Sequence, residues 1–178
     1  MIDWAKNKNG IITASWHVTV PKNFASYNVG DKVDYSQATY SVKDDNGNYV
    51  SDFDTSKAII EGEKEYEYYM ACLETLAASI KRLQDENIPI ILRPLHEAEG
   101  GGGEEGSWFW WGKSGSAVYK ELWKLTYKTL TEDYGLHNII WEWNSYAYST
   151  SANWYPGDEY VAVSYTHLRA HETLRHLV

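Results

Sequence analysis

The chain has a single cysteine, Cys72, so no disulfide can close within it, and cysteine usage leaves the redox compartment open. Cys72 falls in a helical pattern and reads as a small core residue. Basic residues are scarce: 16 Lys and Arg stand against 25 Asp and Glu, a formal net charge of −9. That balance argues against nucleic acid and against an anionic membrane as partners, because both are held by clustered Lys and Arg. No apolar run approaches the length of a membrane span, and the segment from Met1 lacks the basic patch and apolar stretch of a secretory leader. If the protein is secreted, its signal is expected upstream. The 178 residues suit one domain with a sizeable core. They fall short of the roughly 250 that a closed eight-unit β/α barrel needs. Phe is rare, at three, against nine Trp and fifteen Tyr. Rings with a polar handle can stay half wet and still pack, so an acidic chain rich in them suits a neutral polymer as ligand.

The periodicity is that of an α/β fold. Ile11 to Val20 is short and β-branched after the turn signal Asn9-Gly10, and is expected as one strand. Residues 21–60 are polar, with a turn at Asp45-Asn46-Gly47, and a loop of that length is expected to have a task. From Gly62 to Asp85, Tyr66, Tyr69, Met70, Leu73, Leu76, Ala77, Ile80 and Leu83 recur at steps of three and four, predicting a helix of about six turns. Ile90, Ile91 and Leu92 make a continuous apolar run, as in a strand buried on both faces. A second helical period runs through Tyr119, Leu122, Trp123, Thr126, Tyr127 and Leu130 until Gly135 ends it. Asn138 to Trp143 and Tyr160 to Val163 are the next expected strands. Strand and helix alternating in this way predict βαβ units around a parallel sheet, with functional residues at the carboxyl ends of the strands. His17, then His96 with Glu97, then Asn144 occupy three such ends.

The densest stretch is Asn87 to Gly112, NIPIILRPLHEAEGGGGEEGSWFWWG. It begins as a buried strand, turns polar at His96 and Glu97, and passes through a glycine run into Trp108, Phe109, Trp110 and Trp111. A carboxyl at the mouth of a barrel can give a proton to a glycosidic oxygen, and partial desolvation favours the protonated form that does so. Flat indole faces hold pyranose rings. One or two of Trp108, Trp110 and Trp111 are expected to line a sugar subsite while the rest pack beneath. The bland alternative is a core strand, a solvated loop and a buried Trp cluster. On that view His96 and His17 are satisfied by backbone at strand ends. Gly100 to Gly103 lacks the Lys and Ser/Thr of a phosphate cradle, and Glu99, Glu104 and Glu105 would repel phosphate, so it is expected to be a flexible, solvated loop. Glu142 lies between two Trp within a strand, and the pattern leaves open which face it takes. In the tail His167 and His171 are spaced like two ligands on one helix face. The two-His metalloprotease arrangement is absent, since Glu172 is followed by His only at 176, and no metal or cofactor is expected.

The strand and tip IITASWH, the block RPLHE followed by GSWFWWG, the segment YKELWKLTYKTLTEDYGLHNIIWEWN and the turn YPGDEYV together resemble glycoside hydrolase family 26. Its best-known members are endo-β-1,4-mannanases on a (β/α)8 TIM barrel. The resemblance covers most of residues 1–163 and implies an incomplete barrel holding about strands three to six of eight. By position Glu97 matches the family's acid/base residue on the fourth strand, His96 the His before it, His17 a substrate-contacting His on the third, and Trp108 a sugar-stacking Trp. Trp111 and Asn144 complete the expected substrate contacts. The resemblance implies retaining hydrolysis of mannan, glucomannan or galactomannan, which needs a nucleophilic carboxylate about 5 to 5.5 Å from the first. In the family that Glu lies on the seventh strand, so this chain alone is expected to be inactive. Residues 164–178, SYTHLRAHETLRHLV, depart from the family and are expected to be a non-native or disordered tail. Within the family a β-1,3-xylanase or mixed-linkage glucanase is the alternative substrate reading. Outside it stands a non-catalytic carbohydrate-binding module with Trp108 to Trp111 as its platform. The expected setting is secreted or at a bacterial cell surface, with a polysaccharide partner and a monomeric full-length form.

Overall fold

A computed structural model describes residues 1–104, 106 and 108–166. In chain order its elements are α1 (Ile2–Lys8), β1 (Ile12–Trp16), β2 (Val20–Pro21), β3 (Ala38–Thr39), α2 (Lys64–Gln84), β4 (Ile90–Pro94), α3 (Gly115–Lys128), β5 (Ile139–Ser145) and β6 (Val163–Thr166). Strands β1, β4, β5 and β6 form one parallel sheet in that order, with Ile12 opposite Ile90, Leu92 opposite Trp141, and Glu142 opposite Val163. This is the arrangement of an incomplete (β/α)8 barrel. The two-stranded β2–β3 pair is antiparallel and separate.

The helical period places Tyr69, Leu73, Ala77, Ile80 and Leu83 of α2 on one buried face, and Tyr119, Leu122, Trp123 and Thr126 of α3 on another. Glu65 and Glu67 in the first turn of α2 and Lys81 and Arg82 in its last complement the helix dipole. Both helices cover the same side of the sheet. Tyr69 packs on Trp16 with ring centroids 6.0 Å apart, and Trp123 and Tyr127 pack on Trp141 at 6.3 and 5.0 Å. A buried hydrogen bond of 2.6 Å between the Tyr69 and Thr126 hydroxyls ties α2 to α3. The helical path beyond α3 widens into a π turn over Thr129–Asp133 before Gly135, at φ 63°, stops it. On the other side of the sheet the alternation brings up Ser15, Arg93 and Glu142. Arg93 donates to the Ser15 hydroxyl at 2.6 and 3.0 Å and pairs with Glu142 at 3.7 Å. Glu142 therefore faces inward, where Arg93 engages it.

Two strand expectations need correction. The run from Ile11 to Val20 is not one strand, because β1 ends at Trp16. The Trp110 indole N–H takes the Val18 carbonyl at 2.8 Å and the Tyr68 hydroxyl takes that of Thr19 at 2.7 Å, so distant side chains replace the ladder there. Tyr160 to Val163 is not a strand either. Gly157, at φ 120°, starts a 3-10 turn over Asp158–Tyr160, and β6 begins at Val163. Residues 164–166 belong to β6. The rest of the expected tail, with His167, His171 and His176, lies outside the described residues.

The long polar segment does have a task. Its Asp52 carboxylate accepts the N–H groups of Phe24 and Ala25, folding the segment on itself. Its edge then pairs with the aromatic block. Val42 N–H donates to the Trp108 carbonyl at 2.9 Å, and Trp110 N–H donates to that of Tyr40 at 3.0 Å.

Candidate active site

Beyond β4 the chain turns through two left-handed residues, Leu95 at φ 47° and Glu97 at φ 53°, with His96 between them. Each costs about 1–2 kcal/mol for a residue with a Cβ, so neighbours must hold the turn. Leu95 is fully buried. Glu97 N–H donates to the Asn144 carbonyl at 3.2 Å, Gly100 N–H to the Glu97 carbonyl at 3.0 Å, and the Trp111 indole N–H to the His96 carbonyl at 2.9 Å. The following loop is held just as closely. At Gly112 an added Cβ would lie 1.9 Å from the Ala98 carbonyl oxygen, which only a glycine permits.

The turn brings His96 against His17. Their Nε2 atoms are 3.1 Å apart and the rings meet edge-on at 4.4 Å. Burial, then the neighbouring His17, then Arg93 hold the His96 pKa down at about 4, so it is neutral near pH 7. Its Nδ1 has no hydrogen-bond partner among the described residues. A buried N–H without an acceptor is rarer than a bare acceptor, which assigns the proton between the rings to His96 Nε2 and leaves Nδ1 free to accept. His17 is exposed and packs edge-on to Tyr40 at 5.4 Å and Phe109 at 5.9 Å.

Glu97 is half-buried, and its carboxylate acts on the neighbouring Tyr146 phenol. Burial first, then the Glu97 carboxylate, push the Tyr146 pKa up to about 12. The Tyr146 ring meets Trp108 edge-on at 5.4 Å, and Tyr148 lies beyond it at 5.7 Å. Trp108 and Tyr148 are 41% and 44% exposed. A carboxyl thus sits near an exposed indole, with one tyrosine between them.

Among the residues expected at the site, His17 and His96 are in contact, Glu97 is bonded through its backbone to Asn144, and Trp108 is joined to Glu97 by Tyr146. Asn144 is buried and presents its carbonyl to Glu97. Trp111 is a correction. It is wholly buried, its face stacks on Phe109 at 4.4 Å, and its N–H is spent on His96, so it offers no surface to a sugar. Trp110 is buried as well, so the block does not form a platform of several exposed indoles. The glycine run is also less loose than expected. Gly103 N–H donates to the Thr150 hydroxyl, the Trp154 indole N–H donates to the Gly103 carbonyl, and Gly102 lies under the Tyr148 ring. Sequence reasoning missed Tyr146 and Tyr40. The aromatic residues of NSYAYS, directly after a strand end, were the available signal for the first. Among the described residues no group of three or more His, Cys, Asp or Glu is placed to hold a metal ion, and no helix is long and apolar enough to cross a membrane.

Comparison with known proteins bears on this geometry. The model of glycosyl hydrolase family 26 matches residues 1–168. A mannan endo-1,4-β-mannosidase of Thermothelomyces thermophilus is 35% identical over 159 residues, which are 88% of this chain and 28% of that protein. The crystal structure of a ruminal GH26 endo-β-1,4-mannanase superposes with a TM-score of 0.86 at 49% identity, over 93% of this chain and 33% of the other. The GH26 domain of an endo-β-mannanase/endo-β-glucanase from Prevotella bryantii gives 0.75 at 32% identity, over 92% of this chain and 49% of that one. The chain spans less than half the length of each of these relatives.

Proposed function

The chain belongs to glycosyl hydrolase family 26, and from that premise we propose that it supplies the proton-donating half of a retaining β-1,4-mannanase site. Glu97 is the acid/base residue. It protonates the leaving glycosidic oxygen, then takes a proton from the water that releases the sugar. Trp108 stacks on a pyranose beside the scissile bond, and His96, through its free Nδ1, and His17 contact sugar hydroxyls. Asn144 acts through its carbonyl on the Glu97 turn. The nucleophile is a second carboxylate outside the described residues. Glu142 and Glu99 are not proposed for it, because the first pairs with Arg93 and the second is enclosed by the loop after β5. The observation that carries the reading is the Glu97–Tyr146–Trp108 contact, which sets a carboxyl next to an exposed sugar-sized face. A mannan, glucomannan or galactomannan chain is too large to enter a cell intact, so we place the enzyme outside it, as a monomer.

The test is a chimera in which residues 1–163 replace the aligned third of the ruminal mannanase. We expect the chimera to release reducing sugar from mannan and Glu97→Gln to slow it by roughly 10²–10⁴-fold with manno-oligosaccharide binding kept. The isolated chain should release none. Unchanged turnover in Glu97→Gln would reject the assignment, and turnover by the isolated chain would reject the need for an outside nucleophile.

A further inference from the structure

We propose that Glu99 is a positioning residue for this site, a buried carboxylate that grips the loop after β5 so that Tyr146 keeps its phenol on Glu97. Glu99 is fully buried, and no cation pairs with it among the described residues. A carboxyl group in such a place is costly unless hydrogen bonds meet its oxygens. Its side-chain hydrogen bonds among the described residues all run to one segment. It accepts from the Tyr146 N–H at 2.8 Å, from the Ser145 hydroxyl, and from the Ser151 hydroxyl at 2.8 and 2.9 Å. Ser151 in turn accepts the Tyr148 N–H at 3.0 Å and lies against the Tyr146 carbonyl.

Glu99 therefore gathers the backbone of residues 145–148 at one point, two residues beyond Glu97. Tyr146 is held by its main chain to Glu99 and its phenol lies in the field of the Glu97 carboxylate, while its ring meets Trp108 edge-on. Removing Glu99 leaves the Tyr146 N–H and the Ser145 hydroxyl without that acceptor, while Ser151 keeps the Tyr146 carbonyl, and the loop must shift to rewet them. The shift carries the phenol off Glu97. The functional sense of the clamp rests on Glu97 being the proton donor, but its geometry can be tested without turnover.

The probe is the ionisation of Tyr146, read by NMR of the chain with ¹³Cζ-labelled tyrosine, Tyr146→Phe identifying the resonance. With a pKa of about 12 the parent phenol is roughly 3% ionised at pH 10.5, whereas a phenol released to the ordinary value of about 10 is roughly 75% ionised there. Glu97 and Tyr148 also act on Tyr146, and neither is substituted in any Glu99 variant. Glu99→Ala should move Tyr146 most of the way to the released value. Glu99→Gln retains an acceptor for the Tyr146 N–H and should stay near the parent. If the alanine variant does not fold, Glu99→Asp, which keeps the charge but falls a methylene short, should follow the released pattern. The proposal is overturned if Glu99→Ala or Glu99→Asp leaves the parent ionisation, or if Gln and Ala raise it equally, since distant charge alone would then account for it. A chimera inactive on mannan with the expected Tyr146 behaviour would reject the enzymatic reading and leave the clamp.

Discussion

The hydroxyl pair that joins α2 to α3 makes a quantitative test of the fold. Thr126 Oγ1 donates to the Leu122 carbonyl at 2.7 Å, so its single proton is used and Tyr69 must be the donor in the 2.6 Å bond between them. Both side chains are fully buried. Tyr69→Phe removes the donor and leaves Thr126 bonded within its helix, which should cost about 1 kcal/mol, the net worth of a neutral hydrogen bond. Thr126→Val instead leaves a buried phenolic O–H with no acceptor, and an orphaned donor of that kind costs about 2–3 kcal/mol. In the double variant Phe meets Val with nothing unsatisfied, so its cost should return to about 1 kcal/mol. The two single changes would sum to roughly 3–4 kcal/mol, giving a coupling of about 2–3 kcal/mol. Urea unfolding followed by Trp fluorescence measures all three through midpoint and slope. The reasoning fails if Thr126→Val is no more costly than Tyr69→Phe, or if the double variant equals the sum.

Two further outcomes separate the roles of neighbouring residues. Trp108→Ala should change stability by less than about 1 kcal/mol yet weaken manno-oligosaccharide binding about tenfold, whereas Trp111→Ala should cost about 3–5 kcal/mol through its cavity. Calorimetric titration beside denaturation distinguishes the two, and equal stability losses would contradict the assigned burial. His96 is favoured neutral in the folded state, with a pKa of about 4 against an ordinary 6.5. Its share of stability is complete above pH 6.5 and falls as pH drops towards 4, because the unfolded chain takes up the proton first. The parent should therefore lose stability relative to His96→Gln across that window, and parallel curves would refute the burial.

The helices and β4 were legible because their signal is local: an apolar residue every three or four positions, or an unbroken run such as Ile90 to Leu92, reports burial without reference to distant chain. His17, His96 and Glu97 were legible as polar residues at strand ends, and the family motif added roles to them. What could not be read depends on remote partners. β1 stops at Trp16 because Tyr68 and Trp110 capture the Thr19 and Val18 carbonyls from far along the chain. The choice of Trp108 over Trp111 as the exposed indole follows from the backbone pairing with Tyr40 and Val42, which no spacing within SWFWWG encodes. Glu99 looked like one more solvated acid beside a glycine run, and only the fold of the loop after β5 encloses it.

The left-handed residues on either side of His96 make the placement of the Glu97 carboxyl depend on distant parts of the chain. Neither Leu95 nor Glu97 favours that backbone by itself, and what holds them comes from Asn144 on β5 and from Trp111 in the aromatic block. A molecule with its helices formed but β5 or the aromatic block undocked would relax the turn and point Glu97 elsewhere. The placement of the Glu97 carboxyl is in this way conditional on assembly.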